Sequence, residues 1–211
     1  MVGKGLAKRL WALRIGFGRA GLAGAALLAV AVIAAGCETA PPSRESPPLS
    51  FAALPPLVFD LDRIEVFERP AAPHPDDVAH LFPTPPAAAI GLWVRDRLRA
   101  RGTVGVLRVT VDEASARSTP LATNTDFEGL FTEEQAEQVD LRLSVTIEAI
   151  DHNGEVNGSA IAEATRSRTL PEGITLAERE RIYDQTVRAL LHDYNASQEK
   201  AIRQYLRLYL R

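Results

Sequence analysis

VDLRLSVTIEA, residues 139–149, alternates without interruption: Val139, Leu141, Leu143, Val145, Ile147 and Ala149 take one phase and Asp140, Arg142, Ser144, Thr146 and Glu148 the other. A period of two with one apolar and one polar side predicts a strand of an antiparallel sheet, buried on one face and wet on the other. Asn153-Gly154 follows, the strongest short hairpin signal, because both residues tolerate the positive φ that a tight turn demands. Glu155 to Leu170 is then the returning strand. Its small residues Gly158, Ala160, Ala162 and Ala164 share one phase, which leaves room for a helix to come close.

Upstream, Thr103 to Glu113 also alternates, with Leu107, Val109 and Val111 on one side, and a polar loop is expected from about Ser115 to Gly129. Thr132 and Gln135 have capping-box spacing over a segment too short for much helix. Before that lies a helix signal. Thr84 is an expected N-cap, Pro85 and Pro86 fit the first turn, and Ile90, Trp93, Val94 and Leu98 form an apolar stripe. Arg95, Arg97, Arg99 and Arg101 suit the C-terminal end of the helix dipole, and Gly102 is placed to end the helix. Leu57 to Glu68 reads as a strand whose phase changes near Asp62-Arg63, the mark of a bulge or bend. Pro70 to Pro83 is a loop.

Downstream, Thr175 and Glu178 form a capping box. From Leu176 a helical period runs through Tyr183, Val187, Leu190, Tyr194, Ala201, Tyr205 and Leu208. The order β-α-β-β-β-α predicts a two-layer α/β (α+β) sandwich: a four-stranded mixed sheet with two helices on one face. The link through the first helix should be a right-handed parallel crossover. A helix over 176–210 would be about 50 Å long, whereas six-residue strands reach about 20 Å. It is therefore expected to break near Asn195–Ser197 or to overhang, exposing Tyr205, Leu206, Leu208, Tyr209 and Leu210 for a partner.

The beginning of the chain reads differently. Residues 20–36, AGLAGAALLAVAVIAAG, carry no charge and follow Lys4, Lys8, Arg9, Arg14 and Arg19. A basic segment, an apolar segment and a small-residue exit make a secretory signal peptide. The exit, Ile33-Ala34-Ala35-Gly36-Cys37, resembles the lipobox of bacterial lipoproteins, with Ala34 where that family most often has Leu. The resemblance implies cleavage before Cys37 and acylation of its sulfur with chains such as palmitate. Seventeen residues at about 1.5 Å per residue are at the short limit for a membrane span. The expected organisation is a lipoprotein signal peptide over 1–36, a Pro-rich tether over 37–56 and one periplasmic α/β domain over 57–211. The residue after Cys37 is Glu38 rather than the usual enterobacterial inner-membrane retention residue, Asp. That favours the outer membrane over the inner one.

The chain has 24 Lys+Arg and 27 Asp+Glu; five of the cations and no acid fall in residues 1–36, leaving 19 basic against 27 acidic groups in the rest. An acidic domain has no overall attraction for nucleic acid, so no nucleic-acid partner is expected. The single cysteine, Cys37, leaves no disulfide to form.

Few residues carry chemistry. His74 and His80 with Asp76 and Asp77 match no metal-site spacing and read as loop residues. Asp151-His152 reads as part of the hairpin turn, and His192 as a helix-surface histidine. Arg166 and Arg168 on the returning strand are candidates for an anionic group, with ordinary edge charges as the alternative. No nucleophile elbow, phosphate loop or dinucleotide fingerprint is present. No enzyme activity, cofactor or metal is expected.

The layout of lipobox, spacer, strand before a Trp93-bearing helix, hairpin and capped last helix resembles two groups of Gram-negative lipoproteins. They are the lipopolysaccharide-assembly lipoprotein and the auxiliary lipoproteins of ABC-type lipid transporters. The resemblance implies a lipid-anchored, periplasm-facing envelope protein. Its role would be a non-catalytic accessory or scaffold subunit, with an envelope protein partner, in lipid transport or outer-membrane assembly. The alternative is a periplasmic module that binds a small amphiphile or lipid between helix and sheet.

Overall fold

A computed structural model describes residues 47–122 and 135–211. In chain order its elements are β1 (Leu57–Phe59), β2 (Arg63–Glu68), α1 (Pro86–Arg97), β3 (Leu98–Ala100), β4 (Val106–Pro120), β5 (Gln135–Ile150), β6 (Val156–Pro171) and α2 (Leu176–Tyr205), with 3-10 turns at Ala79–Leu81 and Arg207–Tyr209. The α/β sandwich and its four-stranded mixed sheet are as the sequence predicts. The sheet order is β2-β4-β5-β6. The crossover through α1 makes β2 and β4 parallel, and the two hairpin partners are antiparallel.

The alternation of β5 does what its chemistry requires. Val139, Leu141, Leu143, Val145, Ile147 and Ala149 are all buried. The turn to β6 holds Gly154 at φ 86°. The Asp151 carboxylate accepts from the Asn153 and Glu155 N–H groups at 2.8 and 3.0 Å and stiffens the turn. Those bonds hold its pKa below the usual carboxylate range, the Glu155 N–H most and then the Asn153 N–H.

Thr175 caps α2, its hydroxyl accepting from the Glu178 N–H at 3.2 Å. The small phase of β6 lets α2 come close: Ala160, Ala162 and Ala164 are buried, and a β-carbon at Gly158 would lie 2.8 Å from Leu206 Cδ2. Helix α1 joins the same core, its Trp93 ring meeting Tyr194 edge-on with centroids 5.0 Å apart. Phe82 stacks on Tyr183 at 4.1 Å and closes the other end.

Several boundaries differ from the sequence expectation. The first strand is two: the chain leaves a small parallel pair, β1 with β3, and enters the large sheet as β2 after Asp60–Asp62. Helix α1 starts one residue later than predicted, with Pro85 as N-cap and no side-chain cap. It stops at Arg97, and Leu98–Ala100 is strand because β1 offers it a pairing edge. Gly102 is therefore no helix cap. It serves a close approach, since a β-carbon there would lie 2.4 Å from the Asp60 carbonyl carbon. Strand β4 runs on through the expected loop to Pro120, paired with β5 throughout its length apart from a bulge between Val111 and Glu113. The Thr132 signal lies outside the described residues.

The last helix neither breaks nor overhangs. It is continuous through Asn195 for 30 residues, about 45 Å, and the strands of 15 or 16 residues beneath it reach about 50 Å. After Tyr205 the tail folds back. Leu206 is buried, Leu210 forms a bridge with Phe59, and the Arg211 N–H donates to the Val58 carbonyl at 2.9 Å. Of the five residues expected in an exposed cluster, only Tyr205 and Leu208 face solvent.

Candidate functional site

Cys37 lies outside the described residues. The histidines and acids of the 70–83 loop are not gathered as a site. His74 Nδ1 accepts from the Asp76 N–H, and Asp77 accepts from the Ala79 N–H at 2.9 Å. Among the described residues no group of three or more His, Cys, Asp or Glu side chains is placed to hold a metal. His152 sits in the exposed hairpin turn, and His192 is exposed on α2. Arg166 reaches back to form an ion pair with Asp193 of α2. Arg168 stands apart in a shallow groove shared with Gln185 and Arg181. Both arginines also line a second shallow groove with Gln185, Thr186 and Ala189 of α2, where Asp193 already neutralises Arg166. Among the described residues no helix is long and apolar enough to cross a membrane.

Two features escaped sequence reasoning. The first is a polar hub at the C-terminal end of α1. Arg97, expected among the cations that suit the helix dipole, is buried. Its guanidinium donates to the Pro55 carbonyl, to Glu199 and, at 3.1 Å, to Asn195 Oδ1. That amide oxygen also accepts from the Trp93 indole at 2.8 Å. The adjacent Asp96 carboxylate accepts from the Phe51 N–H at 2.8 Å and the Ser50 hydroxyl at 2.9 Å. These bonds lower its pKa, the Phe51 backbone bond most, then Ser50 and neighbouring Arg95. Residues 47–56 are thereby laid on the helices, with Phe51 buried. Their composition, rich in Pro, hides this. The signal is Phe51, the one aromatic of the segment, with Leu49 packed beside the core near it.

The second is a cleft of about 670 Å³ at the edge of β4. Its walls are the Pro70–Pro73 turn, Ala87 of α1 and β4 from Val111 to Ser115, with Arg117 and His74 at its margin. It exists because β2 stops too early. Arg69 makes the last bond on that side, its N–H donating to the Val111 carbonyl at 2.9 Å. Pairing resumes only where the Val78 N–H meets the Ala116 carbonyl and the Ser118 N–H meets Asp76. The Val111/Glu113 bulge turns both Asp112 and Glu113 to the open face. Asp112 there takes a bond from Arg69 at 2.9 Å and from the Thr146 hydroxyl at 2.7 Å. Prolines at 70, 73 and 75 lack the N–H groups that would continue β2 along β4.

No family model and no curated protein matches the chain. Among solved structures, it is similar to a minor lipoprotein from Acinetobacter baumannii, determined by crystallography at 2.35 Å. The two share 19% identity over 70% of this chain and 92% of that one, with a TM-score of 0.34.

Proposed function

We propose that the protein is a lipoprotein of the cell envelope, held by acyl chains on Cys37 and facing the periplasm, with the outer membrane favoured by Glu38. It serves as a non-catalytic accessory or scaffold subunit in lipid transport or outer-membrane assembly. The observation that supports this best is the filled space between α2 and the sheet, where Tyr183, Leu190, Leu191, Tyr194 and Ile202 are all buried against β5 and β6. An amphiphile has no room at the place where the competing reading would put it. What the domain offers instead is surface: an open polar sheet face and the cleft beside β4. Such a domain acts by contact with other proteins.

Anchorage and partnership are tested together. Intact-mass analysis of detergent-extracted protein should show a chain that begins at Cys37 and carries acyl mass. Cys37→Ser should yield a soluble or unprocessed form. Co-purification from detergent extracts should return a stable membrane protein. An unacylated full-length chain refutes the anchor, and extracted lipid without any protein refutes the accessory role in favour of the amphiphile module.

A further inference from the structure

The cleft beside β4 has a chemistry of its own. In a strand, alternate residues turn their N–H and C=O to the same edge. Ala116 and Ser118 bond the 76–78 segment on the edge facing the cleft. Ala114, two residues earlier and past the bulge, turns its N–H and C=O the same way. No backbone partner meets Ala114 on that edge among the described residues. From Val111 to Ala116 the opening is five residue steps, roughly 16 Å, the length of a short strand. Its opposite wall, Pro70 to Pro73, carries only small or proline side chains and so leaves the backbone edge accessible.

The charges around it are of both signs: Glu68 and Glu113 against Arg117, with Arg69 and Asp112 already paired with each other. A ligand of either sign meets a like charge, since Glu113 and Arg117 stand on the same strand. A neutral ligand with alternating donors and acceptors does not. The volume lies in the range of small-ligand and peptide sites, about 300–1,000 Å³.

We infer that this cleft binds an extended peptide segment of another protein, which lies beside β4 as an added strand and bonds the Ala114 N–H and C=O. The edge already takes backbone bonds at both ends of the opening, from parallel β2 at one and from the antiparallel bridge at Asp77 at the other, so the occupant adds bonds in the gap between them. This goes beyond the accessory-subunit reading and does not depend on Cys37: the cleft belongs to the domain alone.

The test uses the full chain in detergent and an end-capped, fluorescently labelled tripeptide, Val-Ser-Val, whose length of roughly 10 Å fits the opening. Binding is read by anisotropy and by slowed hydrogen exchange of the Ala114 amide. The peptide should bind and protect that amide, and the same peptide N-methylated at every residue should not. Ala71→Trp, which fills the cleft from an exposed loop residue outside the sheet, should weaken binding by about tenfold or more. Ala114→Pro, which deletes the donor but leaves the bonds to β5, should do the same. The inference is overturned if the N-methylated peptide binds as well as the parent, or if Ala71→Trp leaves affinity unchanged. It is equally overturned if the parent peptide fails to bind at millimolar concentration, or if inorganic phosphate rather than peptide protects the Ala114 amide.

Discussion

Glu199→Ala should destabilise the domain more than Arg97→Met does, although both remove one side of the same ion pair. The order follows from exposure. The Arg97 side chain is 2% exposed and that of Glu199 is 29% exposed. In Arg97→Met the thioether chain keeps the packing of the arginine stem. Glu199 retains solvent and its ion pair with Arg203 at 2.7 Å, and Asn195 retains the Trp93 indole. The main casualty is the Pro55 carbonyl, left without its donor, at a cost of about 1–3 kcal/mol. In Glu199→Ala the guanidinium stays buried with its charge unopposed, which costs about 3–5 kcal/mol. Once Arg97 is Met, removing Glu199 forfeits only a surface helix pair, about 0.3–0.5 kcal/mol. The double mutant should therefore be close to Arg97→Met alone, with a coupling of about 3 kcal/mol. Urea denaturation of the four proteins, followed by far-UV circular dichroism, measures the cycle. If Glu199→Ala costs less than Arg97→Met, or if the two add, the guanidinium is solvated in solution and the hub does not fix residues 47–56 by charge.

Tyr194→Phe should be neutral or stabilising by up to about 1 kcal/mol, because the Tyr194 hydroxyl is buried with no partner and burial already drives its pKa up; a loss above about 2 kcal/mol in the same denaturation assay would reveal an unseen partner. Asp96→Asn tests the acid limb. The folded Asp96 pKa is depressed, so its stabilisation is complete above the ordinary carboxylate value and is lost as pH falls through the folded one. The stability gap between wild type and Asp96→Asn should thus close below about pH 4 in a pH series of urea melts, and a gap that stays constant to about pH 2 contradicts the Phe51 bond. Truncation after Gln204 removes buried Leu206 and the Leu210 bridge to Phe59; by calorimetry the melting temperature should fall by about 5 °C or more, and an unchanged value means the tail is not part of the core.

Much of the fold was legible where one face is wet and the other dry. Strand β5 announces itself because every second residue must leave water, and the Asn-Gly turn fixes its partner. The ends of elements were not legible. The second half of β4, Glu113 to Pro120, carries Ala, Ser, Arg and Thr, and nothing in that composition favours strand over loop. It is extended because β5 pairs it residue by residue. Leu98–Ala100 follows a good helix without a break in sequence, and becomes strand only because β1 lies beside it. Strand length then governed a further error: a helix that overhangs six-residue strands is fully seated on strands of 15 or 16. The candidate cleft had no signal at all beyond the prolines at 70, 73 and 75, since it is made by a strand that stops. Arg97 was misread because arginines at a helix end are ordinarily solvated, and its burial depends on Pro55, Asn195 and Glu199, distant in sequence.

The tail that folds back onto β1 also sets the order of events in folding. Phe59 and Val58 meet Leu210 and Arg211, partners about 150 positions apart along the chain. Contacts of such span form slowly, because the intervening chain must be closed first. During synthesis residues 206–211 emerge after every strand and both helices they hold. Until they do, β1 lacks one neighbour and Gly158 lacks the Leu206 side chain that covers it. The hairpin of β5 and β6 can assemble early on its own local pairing, but the domain is sealed last at the strand that came first. Final closure of the domain therefore waits for contacts that span nearly all of its described residues.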